Sequence, residues 1–124
     1  MHMIMNPEQN PDQMEEVFEQ VSNYFAMLSE PMRLKILYAL CEGERPVADI
    51  VVRTGSTQAN VSRHLNLLYR ARVLARRKDG TQVYYRIGDR NTLTLCQTVC
   101  SEVSSGLARR STPEVETVGQ SEER

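Results

Sequence analysis

The chain has 124 residues, with 15 Lys and Arg against 16 Asp and Glu and a formal net charge of −1, which suits one domain with a modest core. No run of about 18 apolar residues is present, so no transmembrane helix is expected. No basic segment followed by an apolar core marks a signal peptide, and a cytoplasmic location is expected. Three cysteines and no Trp argue against a disulfide framework and against an aromatic platform for stacking nucleotides.

The near-zero charge hides a division. From residue 53 to residue 90, nine Lys or Arg face two acids, whereas residues 8–30 carry six acids and no Lys or Arg. Beyond Ser111 there are four acids and one base. A basic middle between acidic ends is the electrostatic footprint that a phosphate backbone requires.

In chain order, residues 1–11 are polar, hold two prolines and read as a mobile arm. A helix is predicted from Asp12, whose side chain with Glu15 makes a capping-box pair. Met14, Val17, Phe18, Val21, Tyr24, Phe25 and Leu28 form one apolar stripe on it at helical period. Ser29 is predicted to cap a second helix with Pro31 in its first turn, running to Cys41 and stopped by Gly43. Pro46 opens a third, ended at Gly55. Thr57 or Ser56 caps a fourth, with Val61, Leu65 and Leu68 inward and Gln58, Asn60, Ser62, Arg63 and Asn66 outward. Two short strands follow, Val73 to Arg77 and Val83 to Ile87, turned by Lys78-Asp79-Gly80-Thr81. A last helix, about Thr92 to Ala108, lines up Leu93, Cys96, Val99, Cys100, Val103 and Leu107. Residues 111–124 are polar and acidic and predict disorder.

A helix, a tight turn at Gly55, a second helix and a basic hairpin make a winged helix-turn-helix, mostly α with a small β-hairpin, over residues 12–110. Such a motif lays its second helix in the DNA major groove. Gln and Asn can hold an adenine edge with two hydrogen bonds, and Arg a guanine edge. Gln58, Asn60 and Arg63 supply those types at the helix start, while Ser62 and the helix N-terminus, with Thr57 at its cap, suit phosphates. His64 falls between the inward and outward faces, equally suited to DNA contact or packing. Arg76, Arg77, Lys78 and Gln82 on the wing suit phosphate or minor-groove contact.

Ser-Glu-Pro-Met-Arg-Leu-Lys-Ile-Leu at 29–37, Asn-Val-Ser-Arg-His-Leu-Asn-Leu-Leu at 60–68 and Gly-Thr-Gln-Val-Tyr-Tyr-Arg-Ile at 80–87 resemble the ArsR/SmtB family of winged-helix repressors, over roughly Met14 to Ala108. The resemblance implies a homodimer built on the first and last helices, an inverted-repeat operator in double-stranded DNA, and repression relieved by an inducer. Both apolar stripes fit such a dimer.

The resemblance also frames what is sensed. Family members that bind metal near the third helix carry a Cys-Val-Cys-like pair, where this chain has Arg45-Pro46-Val47-Ala48-Asp49. Members that bind zinc on the last helix use Asp, His and Glu there, but the two histidines here are His2 and His64. The thiols Cys41, Cys96 and Cys100 are left as sensing candidates, or as small buried hydrophobes. The family's persulfide-sensing branch places one cysteine on the second helix and one on the last. Cys41 lies about one turn later than that branch's position and Cys100 about one turn earlier, displacements that compensate if the helices run antiparallel.

Cys96 and Cys100 stand at i and i+4, with Cβ atoms about 5–6 Å apart, too far for an unstrained disulfide at roughly 3.5–4.5 Å. A longer polysulfide bridge or a soft ion fits better. Glu42, Glu44 and a helix end oppose a thiolate at Cys41, which makes Cys100 the expected first nucleophile. The expected function is a DNA-binding repressor controlled by reactive sulfur or another oxidant. The alternative is a repressor responding to arsenite, antimonite or another thiophilic ion held by the same three cysteines. No enzyme activity, resident cofactor or membrane partner is expected. A thiol-redox enzyme wants Cys-x-x-Cys at a helix start, and the spacing here is Cys-x-x-x-Cys. A winged-helix module that binds protein remains a reading of another class, with the basic middle against it.

Overall fold

The computed structural model describes residues 10–111. The expected acidic tail from residue 112, and the arm up to residue 9, lie outside the described residues. The elements run α1 (Pro11–Leu28), α2 (Pro31–Ala39), β1 (Arg45–Pro46), α3 (Val47–Thr54), α4 (Gln58–Arg70), β2 (Leu74–Asp79), β3 (Gln82–Ile87) and α5 (Arg90–Ser111). The architecture is the expected winged helix-turn-helix, mostly α with a small antiparallel sheet.

Helix starts differ from expectation in which residue caps them. Asn10, not Asp12, caps α1: its Oδ1 accepts the Asp12 N–H at 2.8 Å, and Pro11 presets the first helical φ. Asp12 sits one turn-position further in, where its charge favours the positive end of the helix dipole. Glu30, not Ser29, caps α2 by accepting the Arg33 N–H at 3.4 Å. Ser29 instead closes α1, its N–H donating to the Ala26 carbonyl. α2 ends at Ala39, so Cys41 lies in the turn that follows rather than on the helix.

The sheet has order β1-β3-β2. β2 and β3 pair from Leu74↔Ile87 to Asp79↔Gln82, so Gly80 and Thr81 alone make the turn, with Gly80 at φ +65. β1 was not anticipated. It is two residues long, paired as Arg45↔Tyr85 and Pro46↔Tyr84, and Pro46, lacking an N–H, is tolerated because β1 is an edge.

α4 ends in a Schellman motif: Val73 N–H donates to Leu68 O and Arg72 N–H to Tyr69 O, both at 3.0 Å. The left-handed position that glycine usually fills is taken by Arg72, at φ +67. That conformation costs a residue with a Cβ roughly 1–2 kcal/mol.

The core gathers Leu28, Ile36, Leu37, Leu40, Ile50, Val61, Leu65, Leu68, Val73, Leu74, Tyr85 and Cys96. Val61, Leu65 and Leu68 point inward as the α4 period predicts, each contributing about 1.5–3 kcal/mol by burial. Thr92, fully buried, joins the first and last helices. It donates to Asp89 Oδ2 at 3.0 Å, so its oxygen receives the Tyr24 hydroxyl proton at 2.6 Å. Tyr24 packs against this core, but five other stripe residues stay largely outside it. Phe18 and Phe25 on α1, and Val99, Val103 and Leu107 on α5, are each 50–55% exposed. Two apolar helix faces are thus left open to solvent in the single chain.

Candidate nucleic-acid interface

Gly55 ends α3 at φ +70, a value glycine adopts without strain, and turns the chain into α4. Thr57 caps α4 by accepting the Asn60 N–H at 3.1 Å. This brings Gln58, Ser62 and Arg63 to the surface at the helix start, with Asn60 half-buried beside them. Asn60 is held at both ends of its amide: Nδ2 donates to Ser56 Oγ at 2.9 Å, and Oδ1 accepts Arg63 Nη2 at 3.0 Å. Arg63 is therefore oriented before any ligand arrives and keeps donors to spare.

His64 stands apart from this set. It is 2% exposed, so of the two roles its position suited, the structure takes packing. Its Nδ1 accepts Arg33 Nε at 3.2 Å, and Arg33 Nη1 in turn donates to the Met27 carbonyl at 3.0 Å. A chain of contacts thus runs from the end of α1 through α2 to the middle of α4. Because Nδ1 accepts, the neutral ring carries its proton on Nε2, which lies 3.8 Å from Glu30 Oε1 and 3.3 Å from Arg63 Nη2. Burial pulls the His64 pKa below the ordinary imidazole value; Glu30 opposes this, and Arg63 and Arg33 add to it.

On the wing the candidates divide. Lys78 and Gln82 are exposed at the hairpin end. Arg76 lies 3.8 Å over the Tyr69 ring and donates to the Tyr85 hydroxyl at 3.2 Å. Arg77 is engaged: it grips both oxygens of Glu44 at 2.7–3.1 Å and lies 4.6 Å over Tyr84. That grip holds the Glu44 carboxyl below its ordinary range, and a phosphate would have to compete with it for Arg77. Sequence reasoning missed Arg70. It completes an exposed stripe of Ala59, Arg63, Asn66 and Arg70 at i, i+4, i+7 and i+11, a spacing that would have found it.

The three cysteines come together although one is far away in sequence. Cys41 in the turn after α2 and Cys96 and Cys100 on α5 line one groove of about 1160 Å³, with Leu34 and Tyr38 beside them. Cys96 is buried, Cys41 half-buried and Cys100 exposed. Burial raises the Cys41 thiol pKa, and negative charge at Cys100 and Glu42 raises it further. Cys96 is raised by burial and then by charge at Cys100 and Cys41. Among the described residues no group of three or more His, Cys, Asp or Glu is placed to hold a metal ion. No described helix is long and apolar enough to cross a membrane.

Residues 30–75 match the model of the arsR family of bacterial regulatory proteins. The chain is similar to the cadmium resistance transcriptional regulatory protein CadC of Listeria innocua, 41% identical over 62% of this chain and 66% of that protein. It is 33% identical to the transcriptional repressor SdpR of Bacillus subtilis over 54% of this chain and 74% of the repressor. Against two other relatives the chain spans just over half their length, 54% and 52%. Among solved structures it resembles the homodimeric winged helix-turn-helix DNA-binding domain Mb0332 of Mycobacterium bovis: TM-score 0.72, 27% identity, covering 86% of this chain and 99% of that one.

Proposed function

The chain belongs to the arsR family of bacterial regulatory proteins, and on that footing we propose that it is a homodimeric, DNA-binding transcriptional repressor whose cysteines control its hold on an inverted-repeat operator. The single observation that carries DNA binding is the start of α4: exposed Gln58, Ser62 and Arg63 beside an Asn60 that orients Arg63 at 3.0 Å. Thr57, Gln58, Asn60, Ser62 and Arg63 read bases and the nearest phosphates. Arg76, Lys78 and Gln82 hold the backbone at the wing, with Arg77 joining only as Glu44 yields it. His64 acts from inside as a positioning residue for α4.

The open faces of α1 and α5 support the dimer. Phe18, Phe25, Val99 and Leu107 are about half exposed, and a second copy would cover them. Residues 12–110 form the working domain of each copy. The dimer sets the spacing of the two α4 helices, which must meet half-sites about 34–36 Å apart.

The groove supports the sensing step. Cys100, the exposed thiol, attacks the central sulfur of an organic trisulfide and releases one thiolate. Cys41 attacks the same sulfur and releases the second, leaving Cys100–S–S–S–Cys41. The trisulfide is reduced to two thiols, and the two protein thiols supply the electrons and protons. The extra sulfur adds reach between α5 and the turn after α2. That turn runs through Glu44, which grips Arg77 on β2, into Arg45 of β1, which pairs with β3, so a strain at Cys41 reaches the wing. A coupling of about 1.4 kcal/mol changes operator affinity tenfold.

A second reading keeps the DNA mechanism and takes a thiophilic ion as inducer. It is favoured by the cadmium-resistance relative and by three thiols on one groove, and it requires the groove to close around the ion. The test is fluorescence anisotropy on the DNA upstream of this protein's own gene, with reduced protein and with protein treated separately with trisulfide and with arsenite. Tight reduced binding lost only with trisulfide is expected. Loss only with arsenite selects the second reading, and reduced protein without salt-dependent DNA affinity overturns both.

A further inference from the structure

Three arginines meet at the end of α4 away from its base-reading start. Arg70 is its last residue, Arg72 follows in the left-handed position, and Arg76 stands on β2. With Tyr69, Leu74, Ala75 and Gly88 they line a notch of about 530 Å³. Among the described residues no acid lines it, and none of the ion pairs there involves any of the three. Arg45, Arg53 and Arg77, by contrast, each hold a carboxylate. Three like charges gathered without a counterion are repulsive, and an anion between them removes the repulsion.

Two further features point to a ligand. Arg76 is held in place, its guanidinium 3.8 Å over Tyr69 and its Nη1 on the Tyr85 hydroxyl, so the planar fork is pre-oriented. Arg72 sits at φ +67, where glycine would be unstrained and where retained strain signals a use for the side chain. The notch also continues the exposed stripe of Arg63, Asn66 and Arg70 along α4.

On the DNA-binding reading above, we infer that this notch is an oxyanion site for one phosphate group, and that the phosphate belongs to the DNA backbone flanking the bases read at the start of α4. Guanidinium forks match phosphate oxygens in shape and charge. A helix of 13 residues is about 20 Å long, so the phosphate lies several base pairs from the bases that Gln58 and Arg63 face, at about 3.4 Å per step. The contact carries no base information. It lengthens the footprint and steepens the salt dependence.

The test is Arg72→Gly in the full chain, with Arg70→Gln beside it. Glycine suits the left-handed backbone, so Arg72→Gly melts at or above the parent's temperature and any loss of binding is not a loss of fold. Anisotropy titrations across a salt series on the upstream duplex should show log–log slopes shallower by about 0.9 and affinity roughly tenfold lower at low salt. The preference for the operator over a scrambled duplex should be unchanged. A duplex trimmed at its outer flanks should weaken the parent and leave Arg72→Gly unaffected. Parent slope and affinity in both variants, with the parent still binding DNA, overturn the inference alone. A parent protein with no salt-dependent DNA binding overturns the reading beneath it. Inorganic pyrophosphate serves as the second arm: if it raises the parent's melting temperature but not the variant's, while their DNA slopes coincide, the assignment to DNA is overturned in favour of a free phosphate ligand.

Discussion

The start of α4 and the thiol groove are built in opposite ways. The helix start is local: Thr57, Asn60 and Arg63 are pinned to partners within four residues, and its exposed side chains follow from one helical period. The groove is assembled from Cys41 and from Cys96 and Cys100, more than fifty residues apart. Its thiols differ in exposure, and burial raises the pKa of two of them, Cys41 and Cys96. If the first is the proposed DNA surface, it gains from pre-orientation. On the proposed reading, a sensing thiol gains from being unreactive until the right reagent reaches it.

The largest effect tests what the two regions share. Leu65 is 1% exposed, and Leu65→Ala should cost about 2–5 kcal/mol in urea unfolding, taking DNA binding and groove geometry down together. If either survives at a denaturant concentration where the other is lost, the two are not one cooperative unit.

Arg63→Ala should separate them. Operator affinity should fall by about 1–3 kcal/mol at an unchanged melting temperature, while thiol reactivity towards trisulfide stays as in the parent. Anisotropy and a thiol-quench assay read the two sides. An operator bound with parental affinity would sink the base-reading role of Arg63.

Cys100→Ser should do the reverse: parental binding of the reduced protein, with the response to trisulfide removed, about 1.4 kcal/mol of coupling. Mass spectrometry of the treated parent should find a Cys41–Cys100 link. A link confined to Cys96 and Cys100 would place sensing on α5 alone.

The smallest effect is on pH. The folded-state pKa of His64 is depressed, so the unfolded chain binds the proton more readily. The stability this contributes is full above the unfolded value of about 6.5 and is lost as pH falls from there through the folded value. His64→Gln should flatten that acid limb in thermal melts. An unchanged limb would show that other groups set it. Protonation also adds a third positive charge beside Arg33 and Arg63, so parental DNA binding should change across the same window more than that of His64→Gln.

The helix order, the wing, the inward set Val61, Leu65 and Leu68, and the exposed Gln58, Ser62 and Arg63 were legible because each depends on local spacing and caps. Elements with a local competitor were misplaced. Asn10 ahead of Pro11 out-competed Asp12 as a cap, and Glu30 reached the Arg33 N–H in place of Ser29. β1 was invisible because two residues carry no period and exist as a strand only through β3.

The amino-acid order by itself determined the winged helix-turn-helix and the residues its recognition helix offers, since the 3.6-residue period and the Gly55 turn leave that helix one apolar side to bury. Only the tertiary structure decided that His64 goes inside to meet Arg33, that Glu44 claims Arg77 while Arg70, Arg72 and Arg76 meet no acid among the described residues, and that Cys41 meets the last helix. Each of those depends on which distant elements pack together, and no local spacing encodes that.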